Sequence, residues 1–258
     1  MSVEEFHLQP EHPGWKKEYW DGQTHLTPRF HAVVTTVKVQ PREVKSPCKL
    51  RPARREDLPR LIPIYVAAFG QTIEYCDYSI PKVEESARRA LKDHFAGRRG
   101  DPLPGVSQVA FDDSTDQEKL LGTALVGQTE TGPLLDLLFV APECHRQGIA
   151  SALVSQVLNE LHTAGETRLT SQYHIGNDES RLWHQRFGFV EEPDLTRARL
   201  YRMCARHELW RREQIGDLTS EEHARLKSEC EFWEKQVEEL ERIEDEQGFE
   251  AVHPKVYW

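Results

Sequence analysis

Nowhere in the 258 residues does an apolar run approach the roughly 20 residues that a bilayer-spanning helix requires. The opening stretch, Met1 to Gly14, is acidic and mixed, unlike the basic-then-apolar order of a secretory leader. Both absences argue against a membrane-embedded class, and we expect a cytoplasmic protein without a membrane partner. Cysteine is sparse. Cys48, Cys76, Cys144, Cys204 and Cys230 are an odd set without CxxC spacing, which argues against a disulfide framework and against a zinc ribbon. None of the 12 histidines stands in HxH or HExxH spacing, so no metal site is expected. Positive charge is in deficit, with 33 Lys and Arg against 43 Asp and Glu and a formal net charge of −10. Such a chain repels a phosphate backbone, and nucleic acid is not an expected partner.

What is present is an ordinary globular composition, 38% hydrophobic and 29% charged, at a length that suits one full-sized domain with appendages. Trp15 to Tyr19, a turn at Asp21-Gly22, and Thr24 to Leu26 predict a hairpin. The β-branched run within Phe30 to Val39 predicts a further strand, and a break falls near Pro41 to Pro47. A short strand at Lys49 to Ala53 precedes a helix over Arg55 to Phe69, where Leu58, Leu61, Ile62, Tyr65 and Phe69 recur at helical spacing and Pro59 suits the first turn. A second helix is expected over Lys82 to Phe95, then a loop from Gly97 to Gly105. Ser107 to Phe111 and Leu120 to Val126 read as strands joined by a polar turn from Asp112 to Glu118.

Leu134 to Val140 is a nearly continuous apolar strand broken only by Asp136, and it leads through a Gly-containing turn into an amphipathic helix, Ile149 to His162. Arg168 to Tyr173 reads as a strand and Asp178 to Arg186 as a helix. Phe189 to Glu191 and Ala198 to Cys204 are expected as a closing pair of strands. Further on, Thr219 and Glu222 form a capping-box signature for a helix running to about Gln247, where Gly248 can end it. Its residues Leu226, Cys230, Trp233, Val237 and Leu240 make a narrow apolar stripe suited to a helix-helix seam, too short for a coiled coil by itself.

The run Val140-Ala141-Pro142-Glu143-Cys144-His145-Arg146-Gln147-Gly148-Ile149-Ala150 sets a small-residue turn between a buried strand and a helix start. Backbone N–H groups there lack intrahelical acceptors and lie at the positive end of the helix dipole, which suits a pyrophosphate. Gly148 and Ala150 lack bulk, and Arg146 can add a cation. This run resembles motif A of the GNAT superfamily of N-acetyltransferases, with His145 standing where Gln or Arg is usual. A second segment, Asn177 through Trp183-His184 to Phe187-Gly188-Phe189, resembles the same superfamily's Asn-x-x-Ala/Ser-x-x-x-Tyr-x-x-x-Gly-Phe stretch, with His184 where Tyr is common. A third and weaker match is Leu50-Arg51-Pro52-Ala53 with Asp57-Leu58.

The resemblance covers roughly Pro47 to Arg206 and implies an α/β (α+β) fold of GNAT type. That fold is a mixed, mostly antiparallel sheet flanked by helices, here with a short N-terminal β segment (1–46) and a C-terminal helical extension (207–258) around a transferase domain (47–206). It implies acetyl-CoA as acyl-donor cosubstrate, held by Leu138, Phe139 and Val140 of the strand, by His145, Arg146, Gln147, Gly148, Ile149, Ala150 and Ser151 of the turn, and by Asn177 on the pantetheine. The implied acceptor is a primary amine of a small molecule or a protein. Acyl transfer needs a neutral amine, a polarised carbonyl and a protonated leaving thiolate. His184 is the candidate acid for the thiolate, the alternative being a neutral structural histidine packed beside Trp183. Asp136 is the candidate base, relaying a proton through water, the alternative being a hydrogen-bonded carboxylate that braces a loop. Gln172 stands where some members carry Glu, and it cannot act as a base.

Cys144 reads as a bystander, without a His/Asp pairing to activate it. The acceptor pocket is expected over Gly70 to Ile80, where Glu74, Tyr75, Asp77 and Tyr78 suit a cationic amine, the alternative being a solvated loop. Two further readings stand beside the transferase. One is a non-catalytic acyl-CoA-binding sensor or interaction module of the same fold. The other gives the C-terminal helix a role in a possible homodimer or in partner binding.

Overall fold

The computed structural model describes residues 1–114 and 118–256. In chain order the elements are α1 (Val3–His7), β1 (Trp15–Trp20), β2 (Gln23–Pro28), β3 (Ala32–Lys38), β4 (Lys49–Pro52), α2 (Leu58–Phe69), α3 (Ile80–Phe95), β5 (Asp101–Pro102) and β6 (Gln108–Asp112). There follow β7 (Lys119–Thr129), β8 (Gly132–Val140), α4 (Ile149–Thr163), β9 (Arg168–His174), α5 (Asp178–Phe187), β10 (Val190–Glu191), α6 (Leu195–Ile215) and α7 (Ser220–Gln247). The chain divides into two compact units. The first comprises Met1–Val34, Tyr173–Leu182 and Glu191–Val256, and the second Thr35–Gln172 and Trp183–Val190.

In the first unit, β1 and β2 form the expected antiparallel hairpin, with Trp20 opposite Gln23 across the turn. Asp21 and Gly22 both adopt positive φ, as a two-residue hairpin turn requires. The ring of Trp20 stacks on that of His25 at 3.6 Å between centroids. The helical part of the unit is an α6/α7 pair. Val237 and Leu240 of the expected stripe pack with Leu195 and Ala198 of α6 and with Val252, and Trp233 stacks on Tyr201 at 4.8 Å. The stripe is therefore a seam within this chain. The α7 cap is as the sequence predicts: Glu222 N–H donates to the Thr219 hydroxyl while the Glu222 carboxylate accepts from the Thr219 N–H.

One expectation is overturned in this unit. Ala198 to Cys204 is not a strand but part of α6. The Asp194 carboxylate accepts from the Arg197 N–H at 2.9 Å and caps the helix start, and Leu195, Ala198 and Ala205 form its buried side. Seven residues of loosely alternating polarity fit either period, and the packing against α7 selects the helix.

The second unit is built on the sheet order β3-β9-β8-β7-β6-β4, with β5 paired to β7. The β4/β6, β5/β7, β6/β7 and β7/β8 pairs are antiparallel, and β8/β9 is parallel. The sheet is thus mixed and mostly antiparallel, with helices on both faces. On one face α4 lays Ile149, Leu153, Val154, Val157, Leu158 and Leu161 against sheet residues such as Ala124, Val126, Leu135 and Val140. On the other, Leu61, Ile62 and Tyr65 of α2 and Ala87 and Leu91 of α3 cover Val109, Leu125, Leu137 and Phe139. Each large apolar side chain buried in this way contributes about 1.5–3 kcal/mol.

The expected loop from Gly97 to Gly105 contains the two-residue strand β5, a short pairing with no apolar pattern to announce it. The expected turn from Asp112 to Glu118 lies partly outside the described residues. At its start Ser114 donates from both its N–H and its hydroxyl to the Asp112 carboxylate. Among the described residues no helix is long and apolar enough to cross a membrane.

Candidate functional site

Two irregularities in β8 shape the site. The first is a bulge: Leu125 pairs with Leu137 but Val126 pairs with Leu135, so Asp136 is the extra residue. Without it Leu135 and Leu137 would share a face. With it, Leu135 faces the α4 layer and Leu137 the α2/α3 layer. The second is the short parallel ladder to β9, which pairs Leu134 with Thr170 and Leu135 with Ser171 and shows no further pair among the described residues. From Asp136 to Val140 the β9-facing edge of β8 is released. The Ala141 N–H donates to Leu121 O of β7 at 2.7 Å, so by strand alternation the main-chain groups of Leu138 and Val140 point to the released edge. Of the three strand residues expected to hold the cosubstrate, Leu138, Phe139 and Val140, Phe139 thus directs its main-chain groups to β7 instead.

The strand ends in a turn through Pro142–Cys144 and enters α4 at Ile149. Arg146 and Gly148 both have positive φ, 61° and 85°. The reversal at Gly148 lets the chain enter the helix without a capping side chain over its first N–H groups. His145 donates from Nε2 to the Val140 carbonyl at 3.0 Å, so the histidine that replaces the usual Gln or Arg ties the turn back to the end of β8. Gln147 Nε2 reaches Glu143 O at 3.2 Å. Arg146 is exposed and makes no ion pair among the described residues. Ile149 is buried in the core under α4, and Ala150 packs at its margin. Ser151 Oγ accepts from the Trp183 indole at 3.3 Å.

This turn fits a pyrophosphate-bearing cosubstrate. A Cβ built on Gly148 meets no atom within 4 Å, leaving open approach to the helix N-terminus, and residues 145–148 are exposed. Main-chain donors, the helix dipole and a free guanidinium are the groups such an anion requires.

His184 lies on α5, buried at 4% exposure. Its Nε2 bonds with Ser171 Oγ at 2.9 Å, and its ring meets those of Trp183 and Phe189 edge-on at 5.0 Å each. Ser171 is also the last β9 residue paired to β8. The ring is therefore fastened where the two strands part. Asn177, in the first unit, accepts at Oδ1 from the Ser180 N–H at 3.0 Å and so organises the start of α5.

Asp136 is directed to the α2/α3 face with its side chain 2% exposed. One oxygen accepts from His94 Nδ1 and the other from Arg99 Nε, each at 2.8 Å. His94 and Arg99 were not legible in the sequence. A lone acid inside an apolar strand signals that a partner exists, but not which residue, 37 or 42 positions away, supplies it. Ser171 and Trp183 as partners of His184 and Ser151 likewise escape a linear reading.

In the loop expected to form the acceptor pocket, a single turn at Ile73–Tyr75 brings Tyr75 Oη to 2.7 Å from Tyr65 Oη. Burial pushes both phenols up. Tyr78 packs edge-on to Tyr75 at 5.4 Å and receives Lys82 Nζ at 3.9 Å over its ring. The thiol of Cys144 is likewise pushed up by burial, which disfavours the thiolate form. No group of three or more His, Cys, Asp or Glu among the described residues is placed to hold a metal.

Residues 107–191 match the family model described as an acetyltransferase (GNAT) domain. No curated protein matches the chain. Among solved structures, a GCN5-related N-acetyltransferase from Sphaerobacter thermophilus is 18% identical, with a TM-score of 0.45 over 62% of this chain and 48% of its own. The chain thus spans about half the length of that protein. The PaiA N-acetyltransferase from Thermoplasma acidophilum, solved with coenzyme A, is 20% identical with a TM-score of 0.43 over 56% of this chain and 91% of its own. A ribosomal-protein-S18-alanine N-acetyltransferase from Escherichia coli is 19% identical with a TM-score of 0.41, covering 57% of this chain and 81% of that one. Both motif segments lie inside the matched stretch, and over residues 107–191 the chain accordingly carries a match to the acetyltransferase (GNAT) domain family.

Proposed function

We propose that the protein is an N-acetyltransferase that moves an acetyl group from acetyl-CoA to a primary amine of a small molecule or a protein. The observation that carries this reading is the release of β8 from β9 beyond Leu135–Ser171, directly before the open turn into α4. The thioester of the cosubstrate supplies the activated acyl group. The turn residues His145 to Ser151 bind the pyrophosphate through main-chain N–H groups, with Arg146 adding its charge. The N–H groups of Leu138 and Val140, aimed at the released edge, orient the pantetheine and polarise the acyl carbonyl. Phe139 faces the other way, packing edge-on against Tyr65 at 5.3 Å on the acceptor side.

His184, fixed by Ser171, delivers the proton to the leaving sulfur. Asp136 supports removal of the proton from the amine, through the partners that its two oxygens hold. Tyr75 and Tyr78 with Glu74 make the acceptor end suitable for a cationic amine. The full occupation of Asp136 also favours the second reading, an acyl-CoA-binding module without turnover, in which the carboxylate only braces its loop.

Calorimetric titration with acetyl-CoA and coenzyme A, followed by a thiol-release screen across amine classes, tests the proposal. Binding with turnover on one class is the expected result. Binding with no turnover on any class would support the sensor, and no binding would overturn both.

A further inference from the structure

Ser151 lies in the first turn of α4 and is half-buried. Helical side chains lean toward the N-terminus, so this hydroxyl stands beside the N–H groups that open onto the turn. A serine hydroxyl has one proton to give and two lone pairs to receive, whereas an indole N–H can only donate. The Trp183 indole therefore takes a lone pair of Ser151 Oγ, at 3.3 Å. Serine inside a helix often gives its proton to the carbonyl one turn back. Ser151 Oγ makes no such bond, and no bond other than that from Trp183, among the described residues. Its proton is left for an acceptor outside the chain, at a helix start that already favours anions.

The indole is held from behind. Its ring stacks on that of Phe187 at 5.1 Å between centroids and 20° between planes. The Arg42 guanidinium lies 4.3 Å over the Phe187 ring and donates to the Phe187 carbonyl at 3.0 Å. Arg42 is in turn fastened to α4: its N–H donates to Asn159 Oδ1 at 2.8 Å, and Asn159 Nδ2 donates to its carbonyl at 2.9 Å. The contacts thus form a circuit that leaves α4 at Asn159, passes through Arg42, Phe187 and Trp183, and returns to α4 at Ser151. Packing alone requires the stacked rings but not the indole N–H on Ser151.

Resting on the transferase reading above, we propose that Trp183 is a positioning residue for the cosubstrate: its indole fixes the Ser151 hydroxyl as a hydrogen-bond donor to the pyrophosphate. The main-chain N–H groups of the turn are oriented by the backbone. A serine hydroxyl instead rotates about two bonds, and fixing it beforehand removes an ordering cost from binding. Trp183 acts through Ser151 and does not touch the cosubstrate.

The test is a double-mutant cycle in the full chain, read as the Kd for coenzyme A by calorimetric titration. Ser151→Ala removes a donor to a charged group and should weaken binding by about 10-fold or more. Trp183→Phe keeps a ring to stack on Phe187 but loses the N–H, and should weaken binding by about 3–10-fold. In the Ser151→Ala background the same Trp183→Phe change should cost less than about twofold. Equal losses in the two backgrounds would show that Trp183 only packs and would overturn the proposal, as would a Trp183→Phe variant with wild-type affinity; both outcomes leave the transferase reading intact. An unsubstituted chain that does not bind coenzyme A would remove that reading and this inference together. Should a variant not fold, the unsubstituted chain labelled with ¹⁵N-tryptophan decides: the Trp183 indole N–H signal, assigned through its contacts with the Phe187 ring, should shift when coenzyme A is added, and a signal that stays in place would overturn the proposal.

Discussion

Replacing Gly148 by Glu probes the turn most directly. Gly148 sits at φ +85° with no atom within 4 Å of the Cβ position. Any side chain there costs about 1–2 kcal/mol of left-handed strain but meets no steric wall, so the variant should fold. A neutral Gly148→Gln variant carries the same strain and nearly the same bulk. The difference between the two therefore isolates charge. With a carboxylate ~5 Å from a phosphate and an effective dielectric near 20, each unit of phosphate charge adds about 3 kcal/mol of repulsion. At 1.4 kcal/mol per tenfold change, Gly148→Glu should bind acetyl-CoA roughly 100-fold more weakly than Gly148→Gln, with the gap narrowing as salt rises. Calorimetric titration of both variants, matched by circular dichroism, measures it. Equal affinity in two folded variants would refute placement of the pyrophosphate at this turn.

His184→Ala should lower kcat by about 100-fold while the Kd for acetyl-CoA remains near wild type; unchanged turnover would return His184 to a purely structural role. Burial alone would raise the Asp57 carboxyl, but the Arg51 guanidinium and the Arg54 N–H hold it below the usual range. A depressed folded value means that its stabilisation is present above the unfolded value near pH 4 and is lost as pH falls through the folded one. Asp57→Asn should thus cost ~2 kcal/mol at pH 7 in urea unfolding and reduce the loss of stability toward pH 3, and an unaltered acid slope would contradict the assignment. Leu240→Ala opens the α6/α7 seam around Val237 and Val252 and should cost about 2–5 kcal/mol in the same assay; a cost under 0.5 kcal/mol would show that the seam is not tightly packed.

Much of the fold was legible because it is local. The Asp21-Gly22 turn, the Pro59 helix start, the Thr219/Glu222 box and Gly248 act within a few residues of themselves, and each lies where its chemistry predicts. The turn from Val140 to Ala150 belongs with them, since a strand end, a left-handed glycine and a helix start are all encoded in sequence neighbours. α1 was missed although Ser2 and Glu5 make a capping box, because five residues hold too little periodicity to be noticed.

The sequence by itself determined the local grammar of this protein: hairpin, caps, the phosphate-fitting turn and the apolar stripe of α7. Only the tertiary structure decided whether Ala198 to Cys204 is helix or strand, where β8 leaves β9, and what Asp136 and His184 touch. Those outcomes depend on partners such as His94, Arg99 and Ser171, held close by sheet register and helix packing. A linear chain specifies that a buried polar group must be satisfied; the fold chooses which distant residue does it.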